Sequence, residues 1–363
     1  MSKYVIKNLL GQGAFGKVYL IENEKTGDKR VAKFIKMSSF IDKEIYENEI
    51  KILLKLSKDR CSNHLICLQD YMTFGNNIVL ITNYINGISL KKFISSNLHS
   101  NLTKDDLMFI VYQLVNILNE LHKKFKVAHK DLKPDNIMID PETYKVSVID
   151  FGLSCGDKKC KAGGTPKYMA PEMFFKFIDN KLLTFKETKR TDIFSLGVIL
   201  LELLGCDEYF KNKRNHPNIL GLNNMNKLID SCKIKNEDIE YIIKKTMLFD
   251  SNRRMKIQDI LKYLKSKKVD VLFEIRTSLI RSRRMAIKDP DSVREIIINL
   301  TDNLKNKFKR DYFSIIREDN DYKNNNNNNN NNNTKEAHND LQESHDLQES
   351  HSENENTNSI VEL

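Results

Sequence analysis

No tryptophan occurs in this sequence, and only six of its 363 residues are proline. So little proline and glycine excludes collagen-like and proline-rich linker proteins. Six cysteines, at 61, 67, 155, 160, 206 and 232, form no CxxC pair and no dense framework, so neither a zinc module nor a disulfide scaffold is expected. Free thiols in a reduced compartment are the simple expectation. The longest apolar run, Ile193–Leu204, is broken by Ser195 and Glu202 and is too short to span a bilayer. Met1-Ser2-Lys3-Tyr4 opens no signal-peptide core, and the glycine needed for N-myristoylation is absent. These absences predict a soluble intracellular protein, cytoplasmic, with the nucleus as alternative.

Hydrophobic residues make up 40% of the chain and charged residues 30%, enough for a sizeable core. The net charge of +10 is uneven. Residues 324–363 hold eight acids and one base, so the remainder is strongly basic. A basic body with an acidic tail suggests anionic partners, although solubility alone accounts for it equally well. Ten consecutive asparagines occupy 324–333, and DLQESH is repeated at 340–345 and 346–351. Such a polar segment cannot bury enough apolar surface to offset its ordering entropy, which predicts disorder for 324–363.

Alternating apolar residues predict strands over 4–35, broken by a glycine-rich turn and by Lys25-Thr26-Gly27-Asp28. A helix is predicted over 39–56, opened by Ser39 with Asp42 three residues later. Strands return near 65–84, followed by a helix over 104–124 capped by Thr103. A hairpin is expected at 137–149. The almost wholly apolar 192–204 segment marks a buried helix, and more helices fill 223–265. A strand-rich segment with one helix thus precedes a helix-rich one, as in a two-lobed α+β protein.

Gly11-Gln12-Gly13-Ala14-Phe15-Gly16-Lys17-Val18 matches G-x-G-x-x-G-x-V. Its glycines let backbone N–H groups approach phosphate oxygens without a Cβ in the way. The pattern is weak alone, because dinucleotide-binding folds share it. There a helix follows, whereas Val18-Tyr19-Leu20-Ile21 is strand-like. Lys33 shares a strand face with Val31, turned toward that loop, and can reach phosphate. Lys36 is the rival, but Phe34 two residues before it would crowd a base. Glu49 falls on the apolar stripe of the 39–56 helix, where a carboxylate needs a cation, and Lys33 is the obvious one. Glu44 and Glu47 fall off that stripe. His129-Lys130-Asp131-Leu132-Lys133-Pro134-Asp135-Asn136 is followed fourteen residues later by Asp150-Phe151-Gly152. Asp131 suits the carboxylate that takes the proton of an attacking hydroxyl. Asn136 and Asp150 suit oxygen ligands of Mg²⁺, and Lys133 can neutralise a transferred phosphate.

Over residues 4–265 the chain resembles the eukaryotic protein kinase family, which also supplies Ala170-Pro171-Glu172. The resemblance implies a small, mostly antiparallel β lobe at about 4–85 and a larger helical lobe at about 86–265. It implies ATP and Mg²⁺, with protein substrates as partners; the short apolar runs exclude a membrane, and nucleic acid is not the expected partner. ATP would lie against residues 10–18 and against Val31, Lys33, Thr82, Asn83, Tyr84, Ile85 and Met138, with Thr82 guarding the deep pocket. Leu10 belongs to this set. The family pattern implies that Asp192 braces the catalytic loop and that Arg254 pairs with Glu172. Lys133 and Gly164-Thr165-Pro166 resemble the serine/threonine type, with Thr165 near Asp131. A pseudokinase scaffold would lack Lys33, Asp131 or Asp150, and none is missing.

Three departures stand out: Lys130 for the usual arginine, Phe194 for a tryptophan, and Val31 for an alanine. Between Ser154 and Thr165 the segment 150–172 has no hydroxyl, so activation without phosphorylation there is expected. Cys155 and Cys160 flank a basic stretch and are expected as inert thiols, with a redox switch as alternative. Asp135 is a candidate for attracting a basic substrate residue. A basic extension follows at 266–323, with an amphipathic pattern near 292–308. Its runs Lys265-Ser266-Lys267-Lys268 and Arg281-Ser282-Arg283-Arg284 read as solvated loops, with nuclear-import or nucleic-acid patches as the alternative.

Overall fold

The computed structural model describes residues 4–13, 16–37, 40–58, 61–62, 64–75, 77–156, 159–206, 225, 227, 229–286 and 360–361. The amino-terminal part is an antiparallel sheet built from β1 (Tyr4–Gly13), β2 (Gly16–Asn23), β3 (Lys29–Lys36), β4 (Leu68–Phe74) and β5 (Asn77–Asn83). Their order is β1-β2-β3-β5-β4. The predicted turn at 25–28 forms because the Asn23 side chain accepts from the backbone of Lys25 and Thr26 at 2.9 and 3.1 Å. Alternation sends Ile21, Ala32, Val79 and Ile81 into a small cluster on one face of the sheet. Ile35, Ile78 and Leu80 belong to the main core with helix α1 (Phe40–Ser57). That helix buries Tyr46, Glu49, Leu53 and Leu56, residues three and four apart. The expected cap at Ser39 lies outside the described residues.

A two-residue strand β6 (Ile88–Ser89) and helix α2 (Leu90–Ser95) lead into helix α3 (Lys104–Asn119). Thr103 and Asp106 cap α3 reciprocally: Asp106 N donates to Thr103 Oγ1 and Thr103 N to Asp106 Oδ2. The helix continues as a π-helical turn over Glu120–Lys124. Strands β7 (Ile137–Ile139) and β8 (Val146–Val148) form the expected hairpin, joined by β6 into a three-stranded sheet. Strand β9 (Cys160–Lys161) pairs with β10 (Leu182–Leu183), which follows helix α4 (Pro171–Ile178). Helix α5 (Phe185–Leu203) runs through the core, as its apolar sequence requires. Helices α6 (Glu237–Thr246), α7 (Ile257–Ser266) and α8 (Val269–Ala286) follow. Among the described residues no helix is long and apolar enough to cross a membrane.

The chain divides into two compact units, residues 1–274 with 358–363, and residues 275–357. The second is described only over 275–286, in helix α8. The amphipathic pattern near 292–308 lies outside the described residues, as does most of the tail. The exception corrects the expectation of disorder: Ile360–Val361 form strand β11, antiparallel to Tyr4–Val5. The cysteines supply a second correction. All six pair, as Cys61–Cys67, Cys155–Cys160 and Cys206–Cys232. Turns bring partners six, five and 26 positions apart together, and the CxxC spacing test is blind to such pairs.

Candidate active site

A cleft of about 580 Å³ is lined by Leu10, Gly11, Gly16, Val18, Val31 and Lys33 from the sheet. Thr82, Asn83, Tyr84 and Ile85 line its back edge, and Met138, Asn136 and Asp150 its floor. Gly16 is demanded by packing. Its φ is +134°, and a Cβ there would sit 1.9 Å from the carbonyl oxygen of Phe34. Gln12 and Lys17 are not among the residues that line this cleft. Lys17 opposes Gln12 in the ladder and alternates with Val18, so it takes the other face of the sheet and is exposed. Ala14 and Phe15 lie outside the described residues.

Lys33 donates to Glu49 Oε1 at 2.7 Å and to Asp150 Oδ1 at 3.1 Å. Lys36, its rival, is exposed. Burial alone would lower the Lys33 ammonium, but the two carboxylates outweigh it and raise its pKa. Burial pushes the Glu49 carboxyl up, against the pull of Lys33. Burial also works to raise Asp150, but Lys33 prevails and lowers it. Glu47 is exposed, as expected. The side chain of Glu44 lies outside what is described.

The catalytic-loop residues converge next to this cleft. Asp131 Oδ1 accepts from the Thr165 N–H and Oγ–H, both at 2.7 Å. Asp131 Oδ2 accepts from Lys133 Nζ at 2.8 Å, and Lys133 also donates to Thr165 Oγ1. Asn136 spends its Nδ2 on the Asp131 carbonyl at 2.9 Å, which leaves its amide oxygen as an acceptor. The loop is braced from below by Asp192, fully buried on α5. It accepts from the backbone N–H of His129 and of Lys130 at 2.8 Å each, and bonds His122 Nε2 at 2.8 Å. The π-helical turn carries His122 to that position. Two non-glycine residues, Lys130 (φ 68°) and Asp150 (φ 61°), adopt left-handed backbone at the site, where such conformations concentrate. Phe151 is wholly buried against His129. Arg254 donates a two-pronged bond to Glu172.

Sequence reasoning missed the cleft mouth, Ser89, Lys92 and Asp135, and the deep wall of Leu53, Ile66 and Leu80. Asp135 stood in the motif, and its side chain accepts from the exposed Lys91 at 2.9 Å, a partner that a basic substrate residue would have to displace.

A family model described as protein kinase domain matches residues 4–264. The chain belongs to the protein kinase family. It is 30% identical over 297 residues to a probable cell cycle serine/threonine-protein kinase CDC5 homolog of Encephalitozoon cuniculi, covering 78% of this chain and 58% of the relative. Human myosin light chain kinase family member 4 is 34% identical over 201 residues, 54% of this chain and 48% of that protein. SNF1-like protein kinase ssp2 of Schizosaccharomyces pombe is 28% identical over 269 residues, 71% of this chain and 43% of that one. The kinase thus spans about half the length of these relatives.

Proposed function

We propose that this kinase transfers the γ-phosphate of ATP to serine and threonine hydroxyls of proteins. The observation that carries the reading is the Asp131 carboxylate, held by Thr165 and Lys133 beside a cleft whose Lys33 is fixed by Glu49 and Asp150.

The cleft suits the nucleotide. Thr82 Oγ1 is buried in its wall without a hydrogen-bond partner among the described residues. The peptide groups of Tyr84 and Ile85 have no hydrogen-bond partner among the described residues, which suits the edge of a base. Lys33 would hold the α- and β-phosphates. The residues also fit Mg²⁺. Asn136 and Asp150 supply two oxygen ligands, few enough to leave room for phosphate and water, and the ion would supply charge neutralisation. Asp131 takes the proton as the acceptor oxygen bonds phosphorus and the bond to ADP breaks. Lys133 offsets charge on the transferred group, so catalysis is mainly positioning and charge neutralisation.

In this reading the catalytic domain covers 4–265, divided near residue 85. A basic extension at 266–323 and an acidic tail at 324–363 follow. The test is γ-labelled ATP with magnesium and generic substrates, comparing wild type with Asp131→Asn. Loss of a general base costs about 10²–10⁴-fold. Equal phosphate incorporation by both proteins would refute the reading.

A further inference from the structure

Among the described residues, Asp135 and Glu202 are carboxylates near the acceptor side, and each is paired with a lysine. Asp135, at the cleft mouth, is paired with Lys91. Glu202 accepts from Lys167 at 3.0 Å and from the Tyr168 hydroxyl at 2.6 Å. Asp131 and Asp150 are committed to Lys133, Thr165 and Lys33.

Cations remain. Lys92 lines the cleft mouth, is exposed, and has no carboxylate partner among the described residues. Lys159 is likewise exposed and without a carboxylate partner among them, immediately before β9. Lys130 reaches from the catalytic loop to the β9 backbone, so β9 borders the loop that carries Asp131. Lys167 is spent on Glu202, and Lys130 and Lys159 bring positive charge to this border. A segment lying across Asp131 therefore meets a positive border on the α2 side and on the β9 side.

We infer that the preferred acceptors are serines and threonines flanked by anionic residues, aspartate or glutamate in the first instance. Cationic walls concentrate anionic ligands and repel basic ones, an effect that salt screens. This inference rests on the phosphotransfer reading above and names its substrate class.

The experiment measures kcat/KM for one serine acceptor peptide with neutral, Asp/Glu, Lys/Arg or phosphoserine flanks. Wild type should favour acidic over basic flanks by at least tenfold in 50 mM salt, and by less in 500 mM. In Lys92→Glu/Lys159→Glu the preference should invert. In Lys91→Ala, which releases Asp135, it should move toward basic flanks. Phosphoserine flanks outperforming aspartate by far would identify primed phosphopeptides as the source of the anion. Equal use of acidic and basic flanks, or a basic preference in wild type, overturns the inference while leaving phosphotransfer intact. If no peptide of any charge is phosphorylated, the phosphotransfer reading itself fails.

Discussion

Lys130 donates from Nζ to the main-chain carbonyl of Lys161 at 2.7 Å, so a catalytic-loop ammonium holds the activation segment without any phosphate. Ser154, the hydroxyl residue that opens that segment, is buried and donates to the His129 carbonyl at 3.2 Å. The kinase should therefore be active as synthesised. Phosphatase treatment and Ser154→Ala should each leave the rate within about twofold. Lys130→Ala should lower kcat by about tenfold, the worth of one charged hydrogen bond. Activity that depends on a phosphate at Ser154, found by mass spectrometry, would sink this account.

The same lysine makes stability depend on pH. Burial lowers its pKa from 10.5 to about 8, although Asp192 and Asp131 pull the other way. Between those two values the unfolded chain holds a proton that the folded one has released. The unfolded state then binds more protons, so folding stability rises with pH through that window. Lys130→Arg, which stays charged throughout, should lose this rise. Urea unfolding of both proteins at pH 7, 8 and 9 checks it. Parallel curves would mean that the lysine is not desolvated.

Asp192 carries three donors on one buried carboxylate. Asp192→Ala strands the backbone N–H groups of His129 and Lys130 inside the core. At about 1–3 kcal/mol for each unsatisfied group, the loss should reach roughly 3–5 kcal/mol. Asp192→Asn keeps one acceptor and should lose less. Denaturant midpoints give the ranking, and an alanine variant as stable as wild type would contradict the bracing role.

Most of this site was legible because its chemistry sits in short contiguous motifs. Asp131, Lys133 and Asn136 lie within six residues, and Lys33 was separable from Lys36 because Lys33 shares a face with Val31 whereas Lys36 shares one with the bulky Phe34. Glu49 was found because a carboxylate on an apolar stripe demands a cation. What stayed hidden depends on contacts between distant segments. Nothing in the local sequence announces that Lys91 neutralises Asp135, 44 residues away, or that Lys130 reaches Lys161. The outward turn of Gln12 and Lys17 follows from ladder register, which the glycine pattern does not contain. The cysteine pairs escaped for a similar reason, since their spacings match no ligand motif.

Gly164 lies where the acceptor side is assembled, one residue before Thr165. Its φ is +139°, and an added Cβ would come 2.8 Å from the Lys130 carbonyl oxygen. Gly164→Ala must therefore push the segment away from the catalytic loop and stretch the bonds that aim Asp131. Misplacement by about 1 Å can cost 10²-fold, so kcat should fall by one to two orders of magnitude. Since ATP contacts are elsewhere, KM for ATP should stay near wild type. Steady-state kinetics with varied ATP separates the two, and an unchanged kcat would show that the segment yields freely.

Arg254 is 4% exposed and binds Glu172 with both terminal nitrogens. Its Nε donates to the Leu248 carbonyl at 2.7 Å, and its guanidinium lies 4.9 Å from the centre of the Phe194 ring. A lysine keeps the charge but cannot reproduce the planar fork, the Nε–H bond or the stacking. Arg254→Lys should destabilise the fold by about 2–4 kcal/mol, toward the cost of breaking a buried pair. Arg254→Met leaves the half-buried Glu172 without its arginine and should cost more. Adding Glu172→Gln should restore part of that loss, because the stranded charge is gone. A double-mutant cycle read by chemical unfolding gives the coupling, and additive effects would mean that the two side chains do not support one another.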